Sequence, residues 1–76
     1  MKELVEVIAK ALVDHPEEVS VNEKNEGRTI VLELHVAEGD MGKVIGRYGK
    51  IAKEIRVLMR SVAQKQGKRV SVDIVD

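Results

Sequence analysis

Between Arg28 and Val36 the chain alternates without a break: Ile30, Leu32, Leu34 and Val36 fall on one side, and Thr29, Val31, Glu33 and His35 on the other. Period-two alternation over this length is a strand with one face on a core. No other run is as long or as apolar, so this strand is predicted to be the centre of a sheet. Before it, Val19 and Val21 alternate with Ser20 and Asn22 as a shorter, one-sided strand, and Asn25-Glu26-Gly27 is a turn signal. Two strands joined by a tight turn must be antiparallel. Val70, Val72 and Ile74 alternate with Ser71 and Asp73 as a last strand, reached through a helical crossover that allows parallel pairing.

Helical periodicity occupies the rest. Leu4, Ile8, Ala11 and Leu12 recur at one-face spacing among Lys2, Glu3, Glu6 and Lys10, and predict a helix that ends near Val13. Asp14-His15-Pro16 reads as a connector, because proline disfavours helix at the residue before it. After Glu38-Gly39, Asp40 is the expected N-cap of a short helix through Met41, Val44 and Ile45, stopped by Gly46. Ile51, Ile55, Leu58, Met59 and Val62 then form an apolar stripe over three turns, expected to pack on the sheet. Lys53, Arg56 and Arg60 lie across the helix from that stripe, and Val57 is expected on the outer surface as a candidate contact. Gln64 through Arg69 reads as a basic loop.

The order α-β-β-α-α-β in 76 residues makes one small α+β domain, with a mixed three-stranded sheet covered on one face by three helices. With no cysteine, neither a disulfide framework nor a thiolate zinc site is open to it, so packing must hold the fold. No apolar run has the length of a membrane span or the form of a signal peptide. The expectation is a soluble, cytoplasmic protein.

Net charge is zero, but its placement is uneven. Residues 1–40 carry four basic and ten acidic side chains, net −6; residues 41–69 carry nine basic and one acidic, net +8; the last seven add −2. A zero total therefore conceals a positive segment that can meet a polyanion. That segment holds Gly42-Lys43-Val44-Ile45-Gly46-Arg47-Tyr48-Gly49-Lys50-Ile51, with three glycines and three cations.

Three glycine patterns that bind phosphates differ in spacing. A P-loop needs a glycine five residues before its Gly-Lys pair and a hydroxyl after it, where this chain has Val44 and Ile51. No register from Gly39 to Gly49 supplies the dinucleotide fingerprint. What remains is Gly-x-x-Gly between two short helices, with a basic residue inside the pair. An ordinary helix-turn-helix connection is the plain alternative.

Val44-Ile45-Gly46-Arg47-Tyr48-Gly49-Lys50-Ile51 resembles the signature of KH domains, except that the trailing apolar residue falls at Ile51 and Ala52, with Ile55 a turn further on. The element order is that of the type II KH fold, and over nearly its whole length the chain is similar to small bacterial single-KH RNA-binding proteins of the KhpA type. The resemblance implies that Gly46, Arg47, Tyr48 and Gly49, with Lys50 beside them, grip the backbone of about four nucleotides of single-stranded RNA. It implies a base groove partly walled by Val44, Ile45, Ile51 and Ile55, and a variable loop at Gln64 to Arg69. Lys43, Lys53 and Arg56 complete the candidate contacts by their charge. It also implies self-association, and pairing with a second, larger KH-containing RNA-binding protein, in a post-transcriptional regulator or RNA chaperone. A module working mainly through such homo- or heterodimers is the alternative.

Tyr48 is the single aromatic residue, so stacking platforms are excluded and weak sequence selectivity is expected. Catalysis finds no footing: there is no cysteine, and neither Ser20 nor Ser61 has an evident base. Glu33 and His35 share the polar face of their strand with no third ligand in view, and His15 sits in a loop. Solvent contacts are expected of all three, with no metal and no cofactor.

Overall fold

The computed structural model describes residues 1–75. Its elements are α1 (Lys2–Leu12), β1 (Ser20–Glu26), β2 (Thr29–His35), α2 (Met41–Ile45), α3 (Lys50–Lys65) and β3 (Arg69–Val75), with single tight helical turns at Pro16–Glu18, Glu38–Asp40 and Arg47–Gly49. The sheet order is β1-β2-β3. β1 pairs antiparallel with β2 from Glu26 opposite Thr29 to Ser20 opposite His35. β2 pairs parallel with β3 from Thr29 opposite Arg69 to His35 opposite Val75. This is the α+β architecture of a type II KH fold.

The alternation in β2 works as its residue types require. Ile30, Leu32 and Leu34 are buried, and Thr29, Val31, Glu33 and His35 are half-exposed on the open face. Val5 and Ala9 from α1, Val44 from α2, Ile55 and Met59 from α3 and Val72 from β3 close the core over that one face. Leu32, Leu34, Met59, Val5 and Val44 are fully buried, each contributing about 1.5–3 kcal/mol of transfer free energy. β1 buries only Val21 and presents Glu23, Lys24 and Glu26, charges that suit an edge strand.

Several elements differ from their sequence expectation. β1 runs on to Glu26, which leaves Gly27-Arg28 as a two-residue turn. On α1 the buried residues are Val5 and Ala9, flanked by half-buried Leu4 and Ile8; Ala11 lies off that face, and Leu12, in the last position of the helix, is exposed. On α3 the buried stripe is Ala52, Ile55, Met59 and Ala63, and Leu58 is 44% exposed. Alanine, not leucine, lets this helix lie close on the sheet. The basic segment is a loop only at its middle, since Gln64 and Lys65 are helical and Arg69 opens β3. There the N–H of Lys68 donates to Ala63 O at 2.9 Å and that of Gly67 to Gln64 O at 3.0 Å, the Schellman pattern of a helix end.

Candidate nucleic-acid interface

α2 ends at Ile45 and α3 begins at Lys50, so the Gly-x-x-Gly segment is the connection between them. Three of its four residues have positive φ: Gly46 at 76°, Tyr48 at 57° and Gly49 at 72°. At Gly46 the need for glycine is double. Besides its φ, a Cβ there would lie 2.6 Å from Ile51 Cγ1 and 2.9 Å from Ile51 Cβ. Tyr48 adopts a left-handed conformation that non-glycine residues seldom take, and its side chain is 100% exposed. The turn thus holds its one aromatic ring out in solvent beside exposed Arg47 and Lys50.

The two glycine amides are already engaged within the chain. Gly46 N–H donates to Gly42 O at 2.9 Å, closing the end of α2, and Gly49 N–H donates to Gly46 O at 3.1 Å inside the turn. The glycines supply shape and clearance, and the side chains of Arg47, Tyr48 and Lys50 supply what faces outward.

Asp40 also departs from expectation. It precedes α2, yet its side chain makes no cap hydrogen bond to that helix. Instead the carboxylate is 2% exposed and accepts from the backbone N–H of Asp14 at 3.3 Å and of His15 at 3.0 Å. The connector after α1 is thereby tied to the start of α2. Beside this tie Lys43 Nζ donates to Asp14 Oδ2 at 2.7 Å. That hydrogen bond, and then the charge of its partner, holds the Asp14 carboxyl below its usual range and raises the Lys43 ammonium above its own. Lys43, a candidate RNA contact by charge, is in this structure the partner of a carboxylate.

The other candidates divide by burial. Lys50 and Lys53 are exposed on α3, and Ile45 and Ile51 are half-buried beside the turn. Val44 is 0% exposed and Ile55 4%; both belong to the core, so neither can wall a groove. Arg56 is exposed, but its Nε donates to Val72 O at 3.1 Å, laying the guanidinium against the outer edge of β3. Arg60 Nε reaches Arg56 O at 3.5 Å. A shallow groove of about 410 Å³ lies there, between these two arginines and Val70 to Asp73. Sequence reasoning missed both Asp40's tie and Arg56's reach, because a contact between residues 16 to 26 apart leaves no local pattern.

His15, Glu17 and Glu18 bring ligand atoms within 4.8 Å of one another, all on exposed side chains. His15 Nδ1 is 3.5 Å from Glu17 Oε2, a surface contact. Among the described residues no helix is long and apolar enough to cross a membrane.

The family model described as KhpA/KhpB, KH domain, matches residues 2–74. The chain is 56% identical over 75 residues to the RNA-binding protein KhpA of Clostridium perfringens, covering 99% of this chain and 100% of that one. It is 47% identical to the RNA-binding protein KhpA of Chlamydia muridarum, covering 100% of this chain and 97% of that one. With the protein of the same name from Aquifex aeolicus the identity is 41%, over 100% and 96% of the two chains. Among solved structures, a variant of Aquifex aeolicus Era bound to GDP.AlF4- superposes with a TM-score of 0.64 at 22% identity, over 96% of this chain and 28% of that one. At that identity the likeness is one of fold.

Proposed function

Because the chain belongs to the KhpA/KhpB KH-domain family, we propose that it is an RNA-binding protein whose Gly46–Gly49 turn clamps the backbone of single-stranded RNA. The observation that carries the reading is the turn itself. A left-handed backbone, packed against Ile51 from below, presents a fully exposed Tyr48 with Arg47 and Lys50 beside it. Arg47 offers a planar fork to phosphate oxygens, and Lys50 and Lys53 add point charges. About four nucleotides fit such a clamp. The half-buried faces of Ile45 and Ile51 adjoin it, and Arg56 stands at the edge of β3 where a base would come to rest. The protein binds and does not catalyse. A post-transcriptional regulator or RNA chaperone in the cytoplasm is the role this reading supports.

Replacing Arg47 and Tyr48 together with Asp tests it. Asp tolerates the left-handed φ at position 48 better than most residues, so circular dichroism and melting should stay near wild type. Binding to a single-stranded oligoribonucleotide should be lost; retained binding refutes the clamp. In wild type the affinity should fall with salt at a log-log slope of about −2 to −3, the value for three or four neutralised phosphates.

A second reading, a module that acts by pairing with its own copy or with a larger KH-containing RNA-binding protein, has one observation in its favour. Val57 is 52% exposed and Leu58 44% exposed, next to each other on the outer side of α3. A single small site gains from avidity, so the two readings are compatible. Sedimentation of the wild type and of Val57→Asp separates them: a dimer that the variant dissociates supports pairing through α3, and a monomer in both removes it.

A further inference from the structure

Among the described residues Tyr48 is the one non-glycine with a positive φ, at φ 57° and ψ 26°. A bulky side chain in the left-handed region is an outlier that Gly or Asn would relieve. Such strain persists only where the surrounding structure imposes it, and it gathers at sites that hold ligands. Here the turn imposes it: Gly46 lies against Ile51 on one side, and Gly49 N–H closes back onto Gly46 O at 3.1 Å on the other. The fold gains nothing from the ring in return. Val7, Val57 and Leu58 are exposed but each is covered in part, whereas Tyr48 is bare on both faces.

The neighbours of the ring say what could cover it. Arg47 precedes it and Lys50 follows two residues on, both exposed. Whatever reaches the ring therefore meets two cations as well, which suits a nucleotide, with phosphate for the cations and a flat apolar face for the ring. Beside the turn, bases find little other apolar surface, since Val44 and Ile55 are buried and Ile45 and Ile51 present only half-buried faces. One ring is no platform for a run of bases, but it can take one. Every base has a face to offer, and a larger face stacks more strongly.

We propose that Tyr48 stacks on one unpaired base of the strand whose phosphates Arg47 and Lys50 hold, and so biases the clamp toward a purine at that nucleotide. The proposal rests on the clamp reading and deepens it, since contacts to phosphate alone carry no base preference. Stacking releases no counterion, so the ring adds affinity without adding to the salt slope. Phosphate contacts set the slope, and the ring sets the choice of base.

The test uses a short strand of about four nucleotides, as oligoadenylate and as oligouridylate, on the full chain. Tyr48 is the single tyrosine and there is no tryptophan, so tyrosine emission reports this ring alone and should be quenched when oligoadenylate binds. Tyr48→Asn removes the ring and suits the left-handed φ, so it should melt no lower than wild type. Its affinity for oligoadenylate should fall on the order of tenfold, and for oligouridylate by less, at an unchanged salt slope. Tyr48→Phe should recover most of that loss, and Tyr48→Leu should not. Arg47→Ala, by contrast, should lower the slope by about 0.7. Undiminished affinity in Tyr48→Asn, or emission unmoved at saturation, overturns the stack and leaves the clamp standing; the ring would then serve a protein contact or none. Recovery by Tyr48→Leu would assign the ring to apolar packing on a ribose, and failure of Tyr48→Phe would assign the hydroxyl to a hydrogen bond. Either overturns the stack. A clear drop in the melting temperature of Tyr48→Asn does the same, by making the ring part of the fold. If wild type binds neither strand, the clamp fails and the stack with it.

Discussion

α3 has a left-handed glycine at the approach to each end, and the two ends are built differently. At its start, Gly46 is pressed against Ile51, Val44 is sunk in the core, and Asp40 ties the preceding turn to the connector after α1. At its end, Gly67 has nothing within 4 Å of where a Cβ would stand, and the turn is held only by backbone bonds to Ala63 and Gln64. Both ends are basic. The first is a fixed shape that presents a few side chains in one arrangement, as a clamp requires. The second is a hydrogen-bonded turn with open space around its glycine and its cations on exposed side chains.

The largest expected effect therefore belongs to Gly46. In Gly46→Ala the new Cβ meets Ile51 at 2.6 Å and the residue keeps φ near 76°. Overpacking and a left-handed L-residue together should cost about 3 kcal/mol, read as a lower urea midpoint at unchanged m. RNA affinity should fall with it, since the turn must move. Adding Ile51→Ala should restore part of the loss but not the backbone share. A Gly46→Ala protein as stable as wild type would remove the contrast between the two ends.

Asp40→Ala comes next. It strips a buried carboxylate from the N–H groups of Asp14 and His15, a loss of about 2 kcal/mol for hydrogen bonds to a charged acceptor. Asp40→Asn retains one acceptor oxygen and should recover part of it. If Asp40 were instead an ordinary helix cap, Asp40→Ala would free the first amides of α2 and leave those of Asp14 and His15 unchanged. Hydrogen exchange at those two amides reads the tie directly: both should exchange faster in Asp40→Ala.

At the other end of the helix, Gly67→Ala strains a φ of 68° but meets open space. A cost of about 1 kcal/mol follows, smaller than at Gly46, with short-strand RNA binding unchanged. A larger loss than that of Gly46→Ala would reverse the comparison.

How much of this is legible in the chain depends on the range of the interaction. Strict alternation from Ile30 to Val36 predicts a central strand with Ile30, Leu32 and Leu34 inside, because a period of two has no helical counterpart, and those residues are buried. The spacing of Gly46 and Gly49, read with the charge partition, singles out the turn. The face of α3 is harder to read. Large apolar residues draw attention to Leu58 and Val62, while Ala52 and Ala63 take the buried positions because the helix packs closely on the sheet. The partners of Asp40 and Arg56 are fixed by tertiary packing alone, across 25 and 16 residues. Nothing local marks them.

The smallest effect concerns Lys43, the one candidate cation in an ion pair among the described residues. Lys43 stands in α2 beside the turn, with its ammonium on Asp14. Asp14 titrates below its usual 3.8, so its share of stability is full above that value and is lost as pH falls through the lowered one. Lys43 titrates above its usual 10.5, so its share is full below that value and is lost as pH rises through the raised one. Between those limits the pair contributes a constant, small amount, as exposed pairs do. Lys43→Met should thus melt slightly below wild type at neutral pH, and the gap should close in acid once Asp14 is protonated. A gap independent of pH would mean that Lys43 acts by packing. Asp14→Asn turns the same pair into a binding test: it releases Lys43 beside the clamp, and the short-strand salt slope should steepen by up to about 0.7 if a phosphate takes the place of the carboxylate. An unchanged slope would assign Lys43 to the tie that holds α2 in place, and confine the clamp's charge to Arg47, Lys50 and Lys53.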